Sequence, residues 1–353
     1  MSSLIPVDFD NMVFSLQKTG GGSIYWFNLI SRAMDCGLFD LVFHDRADSG
    51  SNIQRSELED KIKKYSILQS RLPVRIDEVT SVRVDRPCIL HSSYFRTGSN
   101  NRAINVVTIY DFICEYYFTG LVKYFQLNQM KKAVKNADAI ICISNSTKDD
   151  LLKIIPESIN KKMTVIPLGF DSDRYRYHEA VREKKVVFVG NRSASYKNFN
   201  LAVESVALCS DVVLQIVGAP LSVAESEYLD KKLPGRYVAY TYPDSAEVAR
   251  LYNSSAALLY LSEYEGFGIP VLEAMSSGCP VIALNKSSIP EVAGNSAILL
   301  NELSPSLVAE RIEGLCSFDS CFDSIVMSGL ERSRHFSWDL MADSTFDFYR
   351  SLL

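Results

Sequence analysis

Two glutamates, Glu265 and Glu273, bracket the densest cluster of unusual residues in the chain, Glu263-Tyr264-Glu265-Gly266-Phe267-Gly268-Ile269-Pro270-Val271-Leu272-Glu273-Ala274-Met275. An apolar run ending at Leu261 precedes the cluster, so it is predicted as strand, glycine loop, helix. Gly266 and Gly268 let backbone amides approach a ligand with no side chain in the way, and Pro270 is expected as the first residue of a helix. A helix N-terminus opened in this way suits a phosphate. One carboxylate lies on the loop and the other in the first turns of the helix, so the pair can address different hydroxyls of one elongated ligand. A loop with ordinary surface acids fits the same two residues on composition alone.

Further segments carry chemistry-bearing residues at the predicted ends of strands. In Val189-Gly190-Asn191-Arg192-Ser193-Ala194-Ser195-Tyr196-Lys197-Asn198-Phe199 a strand runs into a polar loop ahead of a helix. Arg192 and Lys197 there can hold a diphosphate and neutralise its charge as it departs, or can simply be solvated. Around Tyr242 the chain reads Tyr240-Thr241-Tyr242-Pro243-Asp244, with Asp244 a predicted N-cap and only the backbone of Thr241 and Tyr242 a site candidate. Thr19-Gly20-Gly21-Gly22-Ser23 lacks the third glycine of a dinucleotide fingerprint, and a tight turn from strand to helix explains it equally. His91, in His91-Ser92-Ser93-Tyr94-Phe95-Arg96, and the run Tyr110-Asp111-Phe112-Ile113-Cys114-Glu115 lie after strands of the first half. His91 is open to two uses, a ligand contact or a satisfied loop histidine. Asp171-Ser172-Asp173 has the form of a metal-binding D-x-D, but its charged surroundings favour a solvated turn, and no His/Cys/Asp cluster with ligand spacing points to a metal.

The elements that must position these residues follow from periodicity. In the first half Met12 to Leu16, Val106 to Ile109, Ala139 to Ile143 and Met163 to Pro167 read as strands, with helices over Ser23 to Cys36 and Leu121 to Ala137. Ser146-Thr147-Lys148-Asp149 supplies a cap for a further helix. The densely charged stretch from Asp171 to Lys185 is expected to be a solvated connection. A second α/β series follows, with strands at Val186 to Gly190, Val212 to Val217, Tyr237 to Tyr240, Ala257 to Leu261, Val281 to Leu284 and Ala297 to Leu300. Alternation of this kind predicts an α/β class with two doubly wound, parallel-sheet domains and a ligand-binding cleft at the carboxyl ends of their strands.

With 353 residues, 47% hydrophobic and 22% charged, the chain has an ordinary globular composition long enough for two cores. A formal charge of −5 with scattered basic pairs gives no electrostatic footprint for nucleic acid. The eight cysteines include no C-x-x-C pair and read as buried free thiols of a reducing compartment. No leader-like start and no long apolar stretch occur, so a cytoplasmic location is expected. Contact with a membrane surface stays open, because Tyr116, Tyr117, Phe118, Lys123, Tyr124, Phe125, Lys131 and Lys132 crowd one segment.

The run from Glu265 to Ala283, E-G-F-G-I-P-V-L-E-A-M-S-S-G-C-P-V-I-A, resembles the signature of the retaining family-4 glycosyltransferases, and Ser288-Ile289-Pro290-Glu291-Val292-Ala293-Gly294 continues it. The loop Gly190 to Asn198 is similar to that family's Gly-x-Arg-x4-Lys-Asn segment. The resemblance implies a GT-B fold of two Rossmann-like domains. It divides the chain into an acceptor-binding domain at 1–170, a linker at 171–183, a nucleotide-sugar domain at 184–335 and a terminal helix at 336–353 returning toward the first. It implies that Glu265 contacts the transferred sugar and Glu273 the nucleotide ribose. Arg192 and Lys197 would hold the diphosphate, and Asn191, Gly266, Phe267, Gly268, Ile269 and Tyr242 would line the donor. Gly21 and Gly22 would lie over its phosphates. His91, Arg96, Tyr110, Asp111 and Glu115 look like the acceptor-side segments of bacterial surface-polysaccharide transferases, several of them mannosyltransferases, although Tyr110 stands where those commonly have histidine.

The implied reaction moves a hexose, with mannose from GDP-mannose preferred, from a nucleoside diphosphate sugar to a hydroxyl of a growing, lipid-linked bacterial surface glycan, without a metal cofactor. A sugar-nucleotide epimerase on the same fold and a non-catalytic sugar-nucleotide-binding subunit are the alternatives.

Overall fold

The computed structural model describes residues 4–71, 74–77 and 80–353. The chain divides into two compact units, one formed by Met1–Gly169 with Trp338–Leu353 and the other by Phe170–Ser337.

The first unit is built on seven strands, Ile5–Asp10 (β1), Phe39–Arg46 (β2), Ser66–Ser70 (β3), Cys88–Ser92 (β4), Ala103–Ile109 (β5), Ala139–Cys142 (β6) and Lys162–Val165 (β7), in the order β3-β2-β1-β4-β5-β6-β7. Every pairing is parallel. The second unit repeats the plan with Glu183–Val189 (β8), Val213–Gly218 (β9), Tyr237–Thr241 (β10), Ser255–Tyr260 (β11), Val281–Leu284 (β12) and Ile298–Leu300 (β13), ordered β10-β9-β8-β11-β12-β13. Chain order reverses between β1 and β4 in one sheet and between β8 and β11 in the other. At such switch points, outside the carboxyl ends of the strands, open α/β sheets bind their ligands.

Central strands read as apolar runs because helices cover both faces of a parallel sheet. All six residues of β11 are buried, and Val186, Phe188, Leu214, Ile216, Ala257 and Leu259 join Phe199 and Val203 of the helix Phe199–Leu208 in one core. Outer strands are less legible. Met12 to Leu16, expected as a strand, is not one: β1 ends at Asp10 and Val13–Leu16 is helical, with Phe14 N–H donating to the Asn11 carbonyl at 3.1 Å. The true strand was disguised by Asp8 and Asp10, both buried polar residues. The helix cap expected at Ser146 is instead Ser144, whose side chain accepts from Thr147 N–H at 3.0 Å.

The segment from Asp171 to Lys185 is not a free solvated connection. Tyr175 is buried, its carbonyl accepts from Ser276 Oγ at 2.6 Å, and Asn253 holds the backbone of Arg176 and His178. The C-terminal helix Trp338–Arg350 packs on the first unit. Phe346 meets Phe39 edge-on, and Asp339 pairs with Arg32 at 2.6 Å. Six of the eight cysteines are buried and free as expected, whereas Cys36 and Cys321 are exposed. Among the described residues, no helix is long and apolar enough to cross a membrane.

Candidate active site

In the second unit the loops after β8 and β11 meet. The chain leaves β8 at Val189 and turns at Gly190, whose φ of +134° lies where side-chain-bearing residues are rarely found. A Cβ there would come within 3.8 Å of the Lys197 side chain, so the lysine stem runs directly past the strand end. Lys197 then pairs with Glu265, and both side chains are largely withdrawn from solvent. The lysine ammonium also sits 5.3 Å from the centre of the Tyr260 ring, while the Tyr260 phenol donates to Glu265. Burial first, then the glutamate charge, keeps that phenol protonated.

Glu265 is held in place through its backbone. Its N–H donates to Ser287 Oγ at 3.0 Å, and the buried Ser288 hydroxyl bonds the carbonyls of Glu265 and Phe267 at 2.9 and 2.8 Å. Gly268, with φ of +111°, caps the helix Ile269–Ser276, and Pro270 is its second residue rather than its first. A Cβ on Gly268 would lie 2.8 Å from Ile289. Phe267 packs edge-on against Phe336.

Glu273, one face of that helix further on, is half-buried and receives a hydrogen bond from the Tyr175 phenol. Burial raises its pKa to about 7, against the lowering effect of Tyr175, and the Asp171 charge adds to the rise. Asp171 itself belongs to a turn. Its carboxylate accepts from the N–H groups of Asp173 and Arg174 at 3.2 Å each and pairs with the Arg174 guanidinium at 2.9 Å. Among the described residues no group of acids, histidines and cysteines is placed to hold a metal ion.

Arg192 is placed differently from Lys197. Its guanidinium pairs with Glu225 at 2.6 Å and donates to the Pro220 carbonyl at 2.9 Å. That pairing pulls the Glu225 carboxyl down to about 2. Glu225 also closes a capping box with Ser222 on the helix Val223–Lys232. Asn191 is exposed and accepts from Ser193 N–H at 3.1 Å. Tyr242, exposed and in the left-handed region at φ +46°, donates its N–H to the Gly218 carbonyl at 2.9 Å. Asp244 caps the next helix, accepting from Glu247 N–H at 2.8 Å.

In the first unit, the helix Gly21–Asp35 begins at the candidate glycines. A Cβ on Gly21 would meet open space, whereas one on Gly22 would lie 3.2 Å from Gln17. Tyr25 of this helix meets the Tyr110 ring edge-on, and the half-buried Tyr110 donates to the Ser93 carbonyl at 3.2 Å. Asp111 accepts from Ile113 N–H at 2.9 Å, and Glu115 pairs with Lys123 at 3.1 Å. Arg96 is buried beside Asp10 and Asp77, 3.5 Å from each.

His91 resolves to its structural use, which corrects its assignment to the acceptor. It has no exposed surface, and its ring nitrogens lie 2.5 Å from Tyr349 Oη and 2.8 Å from Thr108 Oγ1. Tyr349 stands on the C-terminal helix, so this histidine pins that helix to β4 and β5. Burial drives its pKa from 6.5 down to about 3. The folded state therefore keeps the ring neutral while the unfolded chain takes up a proton below pH 6.5. Stability is expected to rise with pH from about 3 to 6.5 and then level off, with this group contributing at most ~1.4 kcal/mol per pH unit. Urea midpoints of the wild type and of His91→Gln at pH 5 and pH 7 check this. The wild type should lose more on acidification than the variant, and equal losses would refute it.

Sequence patterns alone missed Tyr175, Tyr260 and Glu225. Ser222-x-x-Glu225 is a legible capping box, but nothing local says that the same glutamate takes Arg192. The two tyrosines lie in a charged stretch and at a strand end, and only the fold brings them to the glutamates.

Residues 171–317 match the family Glycosyl transferases group 1, and residues 62–174 match Glycosyltransferase Family 4. The O-antigen chain mannosyltransferase B of Escherichia coli is 34% identical over 117 residues, 33% of this chain and 30% of that protein. The O-antigen chain mannosyltransferase RfbU of Salmonella typhimurium is 28% identical over 229 residues, 62% of this chain and 64% of that one. The chain thus spans less than two thirds of either relative. The crystal structure of Anabaena Alr3699/HepE in complex with UDP-glucose superposes with a TM-score of 0.73 at 14% identity, over 98% of this chain and 100% of that one. Its likeness is one of fold, the GT-B arrangement of two parallel-sheet, Rossmann-like domains. With the group 1 match covering the loops that carry Lys197, Glu265 and Glu273, and the family-4 match preceding it, the chain carries the two glycosyltransferase domains that those models describe, on a GT-B fold.

Proposed function

We propose that the protein is a retaining hexosyltransferase that moves mannose from GDP-mannose to a hydroxyl of a growing surface glycan carried on a lipid. The observation that carries this is the Lys197–Glu265 pair, set beside the N-terminus of the helix Ile269–Ser276 with Glu273 on the same helix. A cation and a helix N-terminus suit a diphosphate, and two carboxylates suit the hydroxyls of a sugar and a ribose. Support for mannose comes from the relatives named mannosyltransferases.

In this account the chain's work is positioning and charge. Lys197 neutralises the departing diphosphate, Glu265 and Glu273 fix the two sugars, and the leaving phosphate takes the acceptor's proton during front-face attack. Arg192 joins the phosphate site only by sharing its guanidinium with Glu225. Tyr110 and Asp111 present the acceptor side, with the Tyr110 phenol neutral at any physiological pH because burial raises its pKa. Since protein cations carry the diphosphate, we also propose that no metal is required. Turnover in excess chelator should equal turnover with magnesium, and loss on chelation with restoration by magnesium would overturn the electrostatic assignment.

We further propose peripheral attachment to a membrane through the helix Gly120–Asn136, which exposes Leu121, Val122, Tyr124 and Phe125 among lysines. The donor is tested by thermal denaturation with a panel of nucleotide sugars. A ligand at 100 times its dissociation constant adds about 2.7 kcal/mol of stability. GDP-mannose should give the largest shift, and a larger one from UDP sugars would reassign the donor.

A further inference from the structure

Arg192 stands on a loop, yet its side chain is only 5% exposed. Its Nε donates to Glu225 Oε1 at 2.6 Å, and its Nη2 donates to the Pro220 carbonyl at 2.9 Å and, at 3.4 Å, to Glu225 Oε2. The guanidinium carbon lies 6.0 Å from the centre of the Phe199 ring. A guanidinium carries its N–H donors in a fixed planar fork, so this arrangement leaves over the Nη1 edge, which donates to nothing among the described residues. A Cβ on Gly218 would lie 3.3 Å from Nη1 and 3.1 Å from the Gly190 carbonyl oxygen. The uncommitted edge therefore lies by the carboxyl ends of β8 and β9, beside the same Gly190 that the Lys197 stem passes.

Glu225 owes its own place to a different partner. Its Oε2 accepts from Ser222 N–H at 2.8 Å and from the Ser222 hydroxyl at 2.9 Å, and Ser222 Oγ accepts from Glu225 N–H at 3.3 Å. This capping box anchors the carboxylate to the start of the helix Val223–Lys232. Toward an anion such a carboxylate has two opposed effects. It orders an arginine whose rotamer freedom the ligand would otherwise have to remove, and it cancels part of the arginine's charge.

We propose that Glu225 is a positioning residue for diphosphate binding, holding Arg192 with Nη1 turned to the strand ends, and that this ordering outweighs the charge it cancels. The proposal rests on the nucleotide-sugar reading given above. It assigns a function to a residue that otherwise only caps a helix.

Calorimetric titration of the full chain with GDP, or with UDP if that binds more tightly, tests it in four variants. Glu225→Gln keeps an oxygen for Arg192 Nε but loses the charge, so the nucleotide should bind about threefold more tightly. Glu225→Ala loses the anchor as well, so binding should weaken by about threefold or more. Against an Arg192→Ala background, Glu225→Ala should leave affinity unchanged or raise it, because only a negative charge is then removed. Tighter binding by both single variants would reduce Glu225 to a counter-charge and overturn the proposal. So would unchanged affinity in both, or a loss from Glu225→Ala that persists without Arg192, which would mark damage to the helix cap. If the wild type binds the nucleotide and this pattern fails, only the role of Glu225 falls; if it binds neither nucleotide, the functional reading falls with it.

Discussion

Lys197→Ala is expected to lower turnover by about 10²-fold or more, equivalent to roughly 2.7 kcal/mol of lost transition-state stabilisation. The lysine is paired with Glu265 beside the Tyr260 ring, so its ammonium is positioned before any ligand arrives. A preorganised charge costs no rearrangement at the moment the diphosphate departs, which is why its removal should act on turnover more than on donor affinity. Truncation also leaves Glu265 largely buried without its cation, so donor binding should weaken as well. Measuring turnover and donor affinity separately resolves the two effects, and turnover at saturating donor should fall more than affinity does. Wild-type kinetics in a folded Lys197→Ala protein would contradict the role given to the lysine.

Nucleotide affinity should rise with pH through neutrality, and Glu273→Gln should abolish that dependence. Burial raises the Glu273 carboxyl to about 7, so near pH 7 about half the unliganded molecules carry it protonated. A ribose hydroxyl donates to the charged form most strongly, so binding releases a proton. Affinity should then climb by up to about tenfold per pH unit below 7 and flatten above it. The sign for folding is the reverse. A carboxyl with a raised pKa stabilises the unliganded fold below about 4.5, and this contribution fades as pH rises through 7. Glu273→Gln should weaken binding at pH 8 by about tenfold or more through loss of a charged acceptor. Calorimetric titration with nucleotide at pH 6 and pH 8 checks both parts. A pH-independent affinity in the wild type, or an unchanged one in the variant, would place Glu273 outside the nucleotide contact.

How much of this was legible depended on where the burial lies. The strands of the second unit read correctly because Ala256 to Leu259 of β11 and all of β12 are apolar, and the segment from Glu265 to Pro270 advertises its shape through its glycines and its proline. The first unit hid β1 and β2 because Asp8, Asp10, His44 and Asp45 are buried polar residues held by long-range partners. Such partners leave no periodic trace. His91 shows the same limit from the other side: its local sequence fits an active-site loop, and only the return of Tyr349 from the end of the chain fills its hydrogen bonds. Arg192 likewise looked equivalent to Lys197 until Glu225, on another helix, claimed it.

The most direct measurement is proton NMR of GDP-mannose incubated with the protein and a short mannoside acceptor, following the anomeric signals of the first product formed. Retaining transfer from an α-linked donor should give an α-linked product, absent with Lys197→Ala. A β-linked product, an isomerised nucleotide sugar, or no consumption of any nucleotide sugar by the folded wild type would contradict the account.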